Sequence, residues 1–145
     1  MKLFNLNDTA VILIDHQVGT NTWASSTPLE LLQRNVMILA RFAAGTGMPV
    51  VLTSSQETNV NVQGPLMPEL QAALPEAFAA RVKRQGVVNA WDDAAFADVP
   101  MAPGRSAHTL GVIKHFAPYS SSPNCYFSIS AFSPDGEHDE TLQSQ

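Results

Sequence analysis

The stretch Ala10-Val-Ile-Leu-Ile-Asp15 limits the possible folds of this chain more than any other. Val11–Ile14 is an unbroken apolar run in which three of the four residues are β-branched. Such a strand has no polar face to give to water, so it needs cover on both sides, as strands of a parallel sheet have. A helix signal follows at Thr27-Pro28-Leu29-Glu30, a capping box with proline at the first helical position. Leu32, Val36, Leu39, Ala40 and Ala43 then recur at spacings of three and four, one apolar stripe. Gly45 and Gly47 supply the stop, and Pro49 forbids continuation. Val50-Val-Leu-Thr53 reads as a second short strand. Strand, helix and strand together predict a right-handed βαβ unit with parallel strands.

Beyond it the pattern is coarser. Residues 54–64 are polar and read as a loop leaving the second strand, and Pro68–Leu74 as a short helix closed by Pro75. Arg81–Val88 reads as extended with a tight place at Gly86. The run Asn89-Ala-Trp-Asp-Asp93 starts a turn, with Asp92 or Asp93 as the cap of a helix containing Phe96. From about Val99 the character changes: five of the ten prolines and eight serines fall there, with Leu110–Ile113 and Phe127–Phe132 as the strand fragments. The polar end, 135–145, is expected to fray.

Composition narrows the function. Net charge is −5, with eight Lys and Arg in 145 residues and no basic block, so phosphate neutralisation and nucleic-acid binding are not expected. No apolar run approaches the ~20 residues of a membrane span, and Met1–Ala10 lacks the pattern of a secretory signal. A single cysteine, Cys125, points to a reduced, cytoplasmic setting. His16, His108, His115 and His138 lack zinc spacing, and the glycines form neither GxGxxG nor a P-loop. Neither a metal nor another cofactor is expected.

Ligands of open parallel sheets bind outside the carboxyl ends of the strands. Asp15 closes the first strand and residues 53–57 close the second, so both belong to one rim. Asp15 is then either a loop aspartate accepting backbone N–H bonds or a general base. Trp23 either lines the mouth of a pocket or is an ordinary exposed aromatic, while Trp91 and Phe96 read as core or interface residues.

AVILIDHQVGT, VVLTSSQET, GPLMPEL and RQGVVNAWDDAAF resemble, in order and spacing, the isochorismatase-like cysteine hydrolase superfamily, and most of all its YcaC-like subgroup. The likeness spans about residues 8–98. It implies an α/β Rossmann-like sandwich with a mainly parallel sheet, in an isochorismatase-like domain over 1–98. Residues 99–145 are then a divergent Pro/Ser-rich segment that leaves the C-terminal portion incomplete or irregular. It also implies hydrolysis of a small-molecule amide or related C–N bond, in a homo-oligomer. By the same likeness Asp15 is the base and Arg84 the cation, with Lys83 as the competing choice. Gln17, Trp23 and Asn89 are the substrate-binding candidates. A thiolate flanked by a cation and a helix N-terminus would be the nucleophile.

The chain departs from the family where that nucleophile belongs. The resemblance implies a buried strand and a Thr-x-x-Cys turn, whereas the sequence has LGVIKHF and then Ser-Pro-Asn-Cys125. Cys125 is either a displaced nucleophile or an ordinary thiol in an irregular segment. The rivals to the hydrolase are a non-catalytic, truncated family fragment and an oligomerising pseudo-enzyme.

Overall fold

The computed structural model describes residues 6, 9–24, 27–87, 90–99, 108–115 and 126–132; for Trp91, 108–115 and 126–132 it describes the backbone only. Within these lies a five-stranded sheet: β1 (Thr9–Ile14), β2 (Val50–Ser55), β3 (Val82–Arg84), β4 (His108–His115) and β5 (Tyr126–Phe132). The strand order is β3-β2-β1-β4-β5. β1 pairs in parallel with β2 and with β4, β2 pairs in parallel with β3, and β5 closes antiparallel on β4. Val11 stands beside Val50 on one side and Leu110 on the other, and Ile14 beside Thr53. The two strands anticipated after Val99 therefore continue the sheet.

The apolar run of β1 is central and covered on both faces. Successive strand side chains point to opposite faces, and they divide here into two cores. Val11 and Leu13 join Leu52 and the buried stripe Val36, Ala40 and Ala43 of helix α2 (Leu29–Thr46). Leu66, Met67, Leu70 and Leu74 complete that layer, the last two from helix α3 (Pro68–Ala73) and its end. Ile12 and Ile14 turn the other way, to Val51, Val82, Ala90 and Phe96. Phe96 comes from helix α5 (Ala94–Ala97), capped by the Asp93 carboxylate on the backbone N–H groups of Ala95 and Phe96.

Two local readings are corrected. Thr27 does not cap α2: Pro28 occupies the N-cap position and no side chain closes that end. Proline needs no N–H there, and its carbonyl accepts from the Leu32 N–H at 3.0 Å, which starts the helical ladder without a hydroxyl cap. Pro75 ends α3 but opens helix α4 (Pro75–Ala79), since a proline is as well suited to the first helical turn as it is unsuited to the interior. At the other end of α2 Gly47 takes a left-handed conformation (φ 68°), as expected of a glycine stop, while Gly45 stays inside the helix.

Candidate active site

The strand order changes direction at β1. The chain steps from β1 outward to β2 and β3, then crosses back to lay β4 on the other side of β1. In sheets of this kind the crevice at the carboxyl end of such a switch is where ligands bind, and Asp15 is the first residue past β1. Its backbone turns left-handed (φ 54°), a conformation aspartate tolerates better than most residues. The Asp15 N–H still donates to the Thr53 carbonyl at 3.1 Å, and its own carbonyl accepts from the Gln17 N–H at 2.8 Å. The kink thus lifts the side chain off the strand without leaving its backbone unpaired.

Two side chains then fix the carboxylate. The Thr53 hydroxyl donates to Oδ1 at 2.9 Å, and the Arg84 guanidinium forms an ion pair with Oδ2. Arg84 sits behind the carboxylate with 1% of its side chain exposed, against 18% for Asp15, so the acid is the member of the pair that solvent reaches. The other Arg84 terminal nitrogen donates to the Val87 carbonyl, while Nε has no partner among the described residues. A carboxylate oxygen carries two lone pairs. Among the described residues one donor meets each oxygen, which leaves acceptor capacity on both.

Lys83 and Arg84 separate cleanly, because adjacent residues of a strand face opposite ways. Lys83 reaches Glu57 at 3.6 Å and is well exposed, whereas Arg84 turns inward to Asp15. Glu57 is also gripped by Arg81 (Nε–Oε1 2.5 Å, NH2–Oε2 3.1 Å), whose guanidinium lies over the Phe78 ring at 4.5 Å. Partial burial pushes the Glu57 carboxyl up, but the Arg81 hydrogen bonds and the Arg81 and Lys83 charges outweigh it and hold it below its ordinary value.

Gln17 is fully buried, and its carboxamide is directed at the protein itself. Oε1 accepts from the Ser55 N–H at 2.8 Å, and Nε2 donates to the Ser55 carbonyl at 2.9 Å and to the Gly64 carbonyl. It thereby ties the end of β2 to the returning loop, which also pairs with the start of helix α1 (Val18–Thr22) through Val18 N–H to Pro65 and Gly19 N–H to Gln63. The approach is close enough that a Cβ on Gly19 would lie 2.1 Å from the Val62 carbonyl, so glycine is required there. Trp23 is partly exposed at the end of α1. Asn89 and Cys125 lie outside the described residues. Thr53 was not singled out as an anchor of Asp15; the only hint of it is the register of β1 and β2. Among the described residues no three His, Cys, Asp or Glu side chains gather as metal ligands would, and no helix is long and apolar enough to cross a membrane.

An α/β sheet with Asp15 and the buried Arg84 joined at its switch point is the arrangement that the resemblance to the isochorismatase-like class implies. Comparison places the chain more narrowly. Over 99 residues, 68% of its length, it is 37% identical to the Escherichia coli (strain K12) protein named "Probable hydrolase YcaC", of which it covers 46%. The structure of YcaC from Pseudomonas aeruginosa, holding hexane-2,5-diol and covalent acrylamide, superposes with a TM-score of 0.67 at 34% identity, covering 77% of this chain and 54% of that one. The Escherichia coli YcaC structure, described as an octameric hydrolase of unknown specificity, gives 0.65 at 35% identity, covering 78% and 55%. No family model matches the chain. Over this partial span it belongs to the YcaC-like members of the isochorismatase-like family. It spans about half the length of the relatives it matches.

Proposed function

We propose that the chain is a cysteine hydrolase acting on a small-molecule amide or related C–N bond, with Asp15 as general base, Arg84 as its cationic partner and Cys125 as nucleophile. The observation that carries this reading is the convergence of Asp15 and Arg84, 69 residues apart, on one carboxylate at the switch point of the sheet. In the first step the Asp15 carboxylate takes the thiol proton and the thiolate adds to the amide carbon. The tetrahedral intermediate collapses, the C–N bond breaks, and the proton held on Asp15 leaves with the amine. Water then adds to the thioester with Asp15 again as base, releasing the acid and the thiol. Arg84 and Thr53 hold the carboxylate in one orientation throughout, which is worth most when the reacting atoms must meet at near-contact distance.

Within this reading Gln17 is a positioning residue, since its hydrogen bonds are directed at Ser55 and Gly64; Trp23 and Asn89 stand as substrate contacts. The name "Probable hydrolase YcaC" and the octameric state of the Escherichia coli structure support hydrolysis and a homo-oligomeric assembly of this chain. A cytoplasmic setting goes with the single free thiol.

The test is labelling of the purified chain with acrylamide near neutral pH, read by mass spectrometry, beside ammonia release from a panel of primary amides. Rapid addition at Cys125 is expected, with amide turnover abolished in Cys125→Ser and in Asp15→Asn. Turnover that survives Cys125→Ser would overturn the nucleophile assignment. A Cys125 that labels no faster than free cysteine, in a chain without turnover, would make the protein a non-catalytic member of the family.

A further inference from the structure

Helix α2 carries a second apolar stripe, on the side away from the core. Its buried stripe, Leu32, Val36, Ala40 and Ala43, faces the sheet. Leu31, Ile38 and Phe42 follow one another at intervals of seven and four on the opposite side, 37%, 60% and 49% exposed. Single exposed apolar side chains are ordinary, but three aligned on one helix face form a patch. Gly45 belongs to the same outward side, and a Cβ there would meet nothing within 4 Å. A glycine in a helix interior costs about 1 kcal/mol relative to alanine, and no described residue requires it.

The flank of this stripe is charged in both signs. Met37 and Arg41 on α2, with Glu69, Ala72 and Ala73 on α3, line a groove beside it. Neither Arg41 nor Glu69 makes an ion pair within the described residues. A patch that offers an apolar ridge, an adjoining groove and charges of both signs is complementary to itself, which a two-fold contact between identical chains requires.

We propose that the outward face of α2 is a docking surface for a second copy of this chain, with Leu31, Ile38 and Phe42 buried at the contact and Arg41 facing Glu69 of the other copy. The inference rests on the homo-oligomeric reading above and adds to it the surface used.

Light scattering on the full chain tests both, with circular dichroism as the control for folding. The wild type is expected to be an oligomer, and Ile38→Glu, which places a charge on the apolar ridge, is expected to cut its mass at least about twofold while the dichroism stays unchanged. Arg41→Glu is expected to weaken assembly on its own, and Arg41→Glu with Glu69→Arg to restore it, because the swapped pair keeps opposite signs. An oligomeric wild type whose mass neither Ile38→Glu nor Arg41→Glu changes would overturn the α2 surface and leave the homo-oligomer intact. A monomeric wild type would overturn the homo-oligomeric reading and the surface with it.

Discussion

The carboxylate at the end of β1 and the arginine at the end of β3 are each a poor choice for a protein interior alone. Arg84 is almost wholly enclosed, and an enclosed cation is tolerated only when it is paired. Asp15→Ala removes its counter-charge and also leaves the Thr53 hydroxyl without an acceptor. The expected loss is about 3–5 kcal/mol of unfolding free energy, from urea denaturation at neutral pH; a loss below about 1 kcal/mol would mean that water or a rearranged Arg84 takes over the partnership. The two candidates for the cation could not be separated in the sequence, because Lys83 and Arg84 are neighbours of like charge and the choice depends on which face of a three-residue strand is buried. Thr53 was hidden for a related reason: a hydroxyl at the end of a short apolar run becomes an anchor only once the pairing of Ile14 with Thr53 is known. The direction of the Gln17 carboxamide was not legible in the sequence, since the groups it binds are backbone atoms 38 and 47 residues away.

At the level of elements, the β1–α2–β2 unit was legible because its apolar residues repeat with the periods of strand and helix, and because Gly47 and Pro49 close the helix chemically. The starts of helices were less legible. A proline after a helix looks like an end in the sequence, while in space it is the first turn of α4. The segments that join β2 to β3 are held by Glu57, which grips Arg81 and Lys83 across the rim. Its carboxyl lies below its ordinary value in the folded chain. A depressed carboxyl binds fewer protons folded than unfolded, so its contribution to stability is full above that value and is lost as pH falls through the folded one. The difference in urea midpoint between wild type and Glu57→Gln should therefore be largest near neutrality and shrink as the pH is brought from about 5 toward 3. A difference that is flat over that range would show that the ion pair adds nothing to the fold.

Across the whole molecule, the centre of the sheet and its margin are unequally protected. β1 is hydrogen-bonded to a neighbour on each side, whereas β3 has three residues and one neighbour, β2. Amide exchange should accordingly be slowest at Val11–Leu13 and much faster at Val82–Arg84, because short outer segments open in local excursions that leave the interior intact. Equal protection of the two strands would contradict this. The site is assembled from both, its acid on the most guarded strand and its cation on the shortest. A brief fraying of that margin would part the pair while nearly all of the protein stayed folded, so the lifetime of the arrangement is set by three residues at the border.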